Sequence, residues 1–223
     1  MEKKIEIVYQ NDDLFVLNKP AGWVVSRERL TEKNPTIEEW LEGRVEKGLW
    51  RNGIVHRLDK GTSGLLVVAK DEKSLNNLME QFRQRRVKKK YWAMLCAEVP
   101  AEGEIDVPIG RTAFGRFGVK IDGKQSRSGF KVTEKYLREE KRYSLVEVDL
   151  KTGRTHQIRV HFSYLGWPLL GDFLYGGEKL KIDRVFLHAF YLELEGLSGE
   201  GQMKFKLGMP NDLKKVLREY EKI

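Results

Sequence analysis

Short apolar runs broken by turn residues open the chain. Ile5 to Val8 and Leu14 to Leu17 flank Asn11-Asp12-Asp13, and Lys19-Pro20-Ala21-Gly22 closes the second run, so the pattern reads strand, turn, strand. Helical spacing then appears at Ile37, Trp40, Leu41 and Val45, with a capping box of Thr36 and Glu39 at its start. Asn34 followed by Pro35 is an equally good helix start. The run Leu65 to Ala69 is a buried strand, and a second helix is expected from Asp71, because Leu75, Leu78, Met79 and Phe82 share one face. That helix runs into the basic stretch Arg83 to Lys90, which reads as a solvated helix end.

Beyond it, strands are expected at Tyr91 to Val99, Gly129 to Tyr136, Tyr143 to Leu150, Gln157 to His161, Val185 to Leu194 and Gln202 to Leu207. Leu213, Val216, Leu217 and Tyr220 make a closing helix. The glycines between Ile109 and Gly123 mark that stretch as a long flexible or functional loop. Strands dominate and do not alternate with helices, so the expected class is α+β, a mixed and mainly antiparallel sheet flanked by helices and loops. No internal repeat or low-complexity linker divides the 223 residues.

Composition narrows the setting. Lys and Arg number 41 against 33 Asp and Glu, a net charge of +8 that suits a polyanionic partner. Cys96 is the single cysteine, which excludes an intrachain disulfide and fits a reducing compartment. No apolar run approaches the length of a bilayer span, so a cytoplasmic protein is expected. One cysteine and four histidines assemble no metal-ligand set, and the glycines at 110 to 118 lack a phosphate-loop ending, so neither metal nor cofactor is implied.

The chemistry concentrates in His56-Arg57-Leu58-Asp59-Lys60-Gly61-Thr62-Ser63-Gly64. A carboxylate in a glycine-bounded turn ahead of a buried strand is what nucleophilic or base catalysis requires, although an aspartate here also serves simply to bond turn amides. With Gly153-Arg154-Thr155-His156-Gln157-Ile158-Arg159-Val160-His161, and with Gly166-Trp167-Pro168, Gly171-Asp172, Tyr175-Gly176 and Leu187-His188-Ala189 further on, the chain resembles the RluA-type RNA pseudouridine synthases.

The resemblance implies the fold of that catalytic domain, one module over residues 1–223 with no S4-type accessory domain, and isomerisation of uridine in RNA through Asp59. The acid adds to a sugar or ring carbon, or takes a ribose proton; the sequence leaves these routes open. It also implies that Arg159 is the cation beside Asp59, that Tyr91 stacks on the target base and serves proton transfer, and that Arg57 enters the RNA stack left by the flipped base. Read as a strand, 157 to 161 places Arg159 opposite Ile158 and Val160, away from the core. Trp92 faces opposite Tyr91 and is the better core candidate of the two.

RNA contact is further expected from Lys19, Arg85, Arg86, Lys88, Lys89, Lys90 and Arg154. The partner is then a tRNA or rRNA stem-loop, with no obligatory protein partner and a monomeric chain. Three departures from the family pattern stand out: Ser26 where many members have His, Glu195-Gly196-Leu197 in place of a His-Pro, and Lys124-Gln125-Ser126-Arg127-Ser128. Two competing readings are a non-catalytic RNA-binding module, which an altered Asp59 or Arg159 would have signalled, and a glycoside hydrolase, which requires a second acid such as Asp149 or Asp172.

Overall fold

The computed structural model describes residues 4–26 and 36–223, which group into two units, one of the described residues up to 88 together with 191–207 and one of residues 89–190 and 208–223. The helix start at Asn34 and Pro35 lies outside the described residues.

The first unit begins with β1 (Glu6–Gln10) and β2 (Leu14–Lys19), an antiparallel pair with a bulge between Ile7 and Tyr9. Asn11 closes their turn, its side-chain carbonyl accepting from the Asp13 and Leu14 amides at 3.1 and 2.9 Å. Helix α1 (Ile37–Leu41) starts on the expected capping box, Thr36 with Glu39. β3 (Ser63–Ala69) is buried along its whole length and pairs antiparallel with β2. Helix α2 (Glu72–Arg83), capped by Asp71 through Ser74, packs Leu75 and Leu78 into a core that includes Leu14, Val16, Leu65 and Val67. Complete burial of β3 explains its unbroken apolar run: a strand covered on both faces has no polar side to show.

β4 (Lys88–Leu95) leads into the second unit, followed by β5 (Glu102–Asp106), the short pair β6 (Ile109–Arg111) and β7 (Phe117–Val119), then β8 (Arg127–Arg138) and β9 (Lys141–Leu150). β4 pairs with β9, β9 with β8, and β8 with β5, all antiparallel. Helix α3 (Gln157–Tyr164), β10 (Leu187–Glu195), β11 (Gln202–Lys206), α4 (Asn211–Leu217) and β12 (Glu221–Lys222) complete the chain. The second unit's core gathers Met94, Leu145, Leu170, Phe186, Leu213 and Tyr220. A largely antiparallel sheet with few helices is the α+β class that the patterning predicts.

Three expectations are corrected. Residues 157 to 161 form helix α3, not a strand: Gln157, Ile158, His161 and Phe162 are buried together, the one-and-four spacing of a helix face that the β-branched Ile158 and Val160 obscure in so short a run. Of the basic stretch, only Arg83 lies in the helix. Helix α2 stops at Arg83, Arg85 turns with φ 58°, and Lys88 to Lys90 are already strand. The stretch from Ile109 to Gly123 is not an open loop, because β6 and β7 pair across it with Phe114 exposed at the tip.

Candidate active site

Asp59 sits in the first unit in a loop fastened at both flanks. Ahead of it, Ile54 bridges Val68 of β3, and the Val67 amide donates to His56 Nε2 at 3.0 Å, so the His56 proton resides on Nδ1. His56 also stacks on Phe82 with centroids 4.8 Å apart, which makes it a brace of the loop. Behind it, the Thr62 amide donates to the Asp59 carbonyl at 3.0 Å, and Gly64 enters β3 with φ 119°, a conformation open to glycine. Leu58 is buried while Arg57 is exposed and Asp59 half-buried, so core packing of the residue between them turns both polar side chains outward.

A second turn underlies this loop. The Gly22 amide donates to the Lys60 carbonyl at 2.8 Å, and Lys19 is completely buried, its ammonium donating to the carbonyls of Trp23 at 2.7 Å and Pro20 at 3.1 Å. Lys19 is thereby corrected from a phosphate contact to a clasp of the turn, since a fully buried ammonium has no surface to offer RNA.

In the second unit, Arg159 lies on α3 with its side chain 13% exposed and reaches Asp172, itself 1% exposed. Nε donates to one carboxylate oxygen at 2.7 Å and one terminal nitrogen to the other at 2.8 Å. The guanidinium also lies 5.0 Å over the Tyr175 ring, and the Tyr175 hydroxyl meets His156 Nδ1 at 3.0 Å. Tyr91, on β4 opposite Val148, is buried at 6% exposure. Its neighbour Trp92 is half-buried and stacks on Phe190 with centroids 4.1 Å apart, so the more interior of the two is Tyr91, the reverse of the sequence expectation.

Gln157, just ahead of Arg159 on α3, fixes the start of that helix. Its side-chain amide donates to the Arg127 carbonyl at 3.0 Å and Ser128 Oγ at 2.9 Å, and its carbonyl accepts from Thr152 Oγ1 at 2.7 Å and the Arg154 amide at 3.0 Å. His161 joins through Ser128 Oγ at 3.0 Å and the Val107 carbonyl at 3.2 Å, and burial lowers its pKa, which favours neutral imidazole. Every hydrogen-bonding site of the Gln157 amide plane is engaged. Gln157→Leu keeps a similar volume but strands several buried groups, and is expected to cost about 3 kcal/mol by calorimetric unfolding. A melting point within a degree of the parent would refute this account.

The basic candidates differ in their settings. Arg57 and Arg85 are exposed; Arg86 pairs with Glu195, Lys88 with Glu193 at 2.7 Å and Lys90 with Glu147 at 2.6 Å; and Arg154 Nε donates to the Gln125 carbonyl at 3.2 Å. Lys89 differs again, because burial depresses its pKa to about 8 while Asp149 pulls the other way. A lysine lowered in the folded state costs stability in full below that value, and the cost fades as pH rises toward the unfolded value near 10.4. Relative to Lys89→Met, the parent should therefore gain about 1 to 2 kcal/mol between pH 7 and 10.5 in urea unfolding, the figure being reduced for partial exposure. A pH-independent difference would show Lys89 to be solvated.

Tyr175, His156 and Gln157 carry no role in the sequence beyond motif membership, and Asp172 enters there only as the second acid of the competing hydrolase reading. What could have exposed them is helical spacing: His156, Arg159 and Ser163 lie at i, i+3 and i+7, and Ser163 Oγ donates to the Tyr175 carbonyl at 2.7 Å.

Residues 13–164 match the family model described as RNA pseudouridylate synthase. An uncharacterized RNA pseudouridine synthase of Chloroflexus aurantiacus is 40% identical over 92% of this chain and 66% of its own length. The ribosomal large subunit pseudouridine synthase D of Vibrio vulnificus is 38% identical over 94% of this chain and 68% of its own. Among solved structures, human RNA pseudouridylate synthase domain containing 1 superposes with a TM-score of 0.73 at 28% identity, covering 99% of this chain and 97% of that one. The chain thus spans about two thirds of the curated relatives' length, and the family model includes both the Asp59 loop and the α3 arginine. On this agreement of sequence and fold, the chain belongs to the RNA pseudouridylate synthase family, the isomerases that rearrange uridine in RNA to its carbon-linked form.

Proposed function

We propose that this chain isomerises selected uridines of a folded RNA, with Asp59 as the catalytic carboxylate. The observation that carries the reading is the mounting of Asp59: a half-buried acid in a loop tied by His56 to β3 and by Lys60 to the Lys19 turn. Such an acid is held still yet remains reachable, as attack on a flipped nucleotide demands. The N-glycosidic bond breaks, the uracil turns, C5 bonds to C1′, and the C5 proton leaves as N1 takes one up. Arg159 supplies the cation that assists the acid, and Tyr91 stacks on the base and serves the proton transfer.

Arg57 fills the vacated place in the RNA stack, and Arg85, Arg86, Lys88, Lys89, Lys90 and Arg154 supply phosphate contacts. We take the enzyme to act as a cytoplasmic monomer without cofactor or obligatory protein partner; among the described residues no helix is long and apolar enough to cross a membrane. The names of relatives such as that of Vibrio vulnificus favour rRNA over tRNA as the first substrate to try.

Chemical mapping of pseudouridine across the RNA of cells with and without the gene tests the proposal. One or a few uridines in rRNA or tRNA stem-loops should lose the modification, and wild-type protein should restore it. An identical map in both strains overturns it.

A further inference from the structure

Arg159 is held more tightly than a cation serving one acid needs to be. Asp172 engages it along a single edge, through Nε and one terminal nitrogen, at 2.7 and 2.8 Å. Such a two-point contact fixes the guanidinium plane and directs the other terminal nitrogen away from Asp172. Tyr175 covers one face of that plane at 5.0 Å and is itself anchored by its hydroxyl to His156.

One turn delivers both contacts. The Tyr175 and Gly177 amides donate to the Asp172 carbonyl at 3.2 and 2.7 Å, and the Gly171 amide donates to the Glu178 carbonyl at 2.8 Å. Gly171 is strained for any other residue, with φ 82° and the Arg184 carbonyl 2.3 Å from where a Cβ would stand. Asp172 thus has almost no freedom of its own, and neither does what it grips.

We infer that Asp172 and Tyr175 are positioning residues that set which edge of Arg159 is presented to the reaction. The inference rests on the catalytic reading of Arg159. A brace that serves only folding would use the same ion pair, so the test must separate orientation from stability.

The experiment uses the full chain and a short RNA stem-loop carrying a modified uridine identified by the mapping. Asp172→Asn keeps the shape but cannot accept at both atoms, and should lower kcat about 10- to 100-fold with KM changed less than threefold. Placed on top of Arg159→Met, it should lower kcat by less than a further twofold, because a positioning residue has nothing left to position. Losses that multiply in the double variant, or a kcat within twofold of the parent in the single one, would overturn the inference. If Asp172→Asn melts near the assay temperature, Tyr175→Leu takes its place, leaving the carboxylate and removing only the ring, with the same additivity test.

The Arg159 Nε–H resonance in nitrogen-15 spectra gives a readout that needs no turnover. It should be slow to exchange with solvent in the parent and fast in Asp172→Asn; fast exchange in the parent would overturn the clamp. A parent chain with a protected resonance and no turnover would sink the proposed function, and the positioning role with it, while leaving the clamp standing.

Discussion

Asp59→Asn is expected to abolish uridine isomerisation, by roughly 10⁴-fold or more, while changing the melting temperature by no more than a degree or two. The amide preserves the side chain's size but has neither the nucleophilicity nor the basicity of a carboxylate. The loop should survive, because the contacts through the main chain of residues 59 and 60, the His56 ring and the Lys19 clasp do not involve the carboxylate. RNA affinity should stay within about threefold, since phosphate contacts supply most of it. The measurement is single-turnover conversion of a labelled stem-loop alongside filter binding of the same RNA. Conversion within tenfold of the parent would remove Asp59 from the chemistry.

Arg159→Met should fail in two separable ways. Its removal leaves the Asp172 carboxylate buried at 1% exposure without its cation, and breaking a buried pair from one side costs about 3 to 5 kcal/mol. Activity should fall by about 10²-fold or more, beyond anything due to unfolding at the assay temperature. Adding Asp172→Asn removes the stranded charge, so the double variant should regain much of the lost stability and none of the lost rate. Recovery of activity together with stability would reduce Arg159 to a structural residue. Denaturation in urea and single-turnover rates on the three variants decide between the outcomes.

The contrast between these two residues shows what can be read along a chain. The Asp59 loop is local: its glycines, its acid and the apolar run that follows are consecutive, and the strand expected after Gly64 is β3. Helix α2 was equally legible, with Asp71 as its cap and Leu75 and Leu78 on its buried face, because cap and stripe fall within a few residues of each other. The Arg159 segment was not. Eight residues carrying Ile158 and Val160 fit a strand as well as a helix, and the choice is made by burial of Gln157 and His161 against partners some 30 to 50 residues away in sequence.

Lys19 shows the same limit from the other side. A lysine before Pro-Ala-Gly has the composition of a surface contact, and only the closing of the turn over its ammonium shows that it donates to the Pro20 and Trp23 carbonyls.

The sequence by itself determined the α+β class, the positions of most strands, the motifs at 56–64 and 153–161 and the candidate acid, since each follows from neighbours in the chain or from residue types in fixed order. Tertiary structure alone decided that 157 to 164 is a helix, that Asp172 and Tyr175 grip Arg159, and that Lys19 is spent inside the fold. The physical reason is the same in each case. A buried polar group must find its hydrogen-bond partners wherever the packed chain supplies them, and those partners are set by folding rather than by sequence distance.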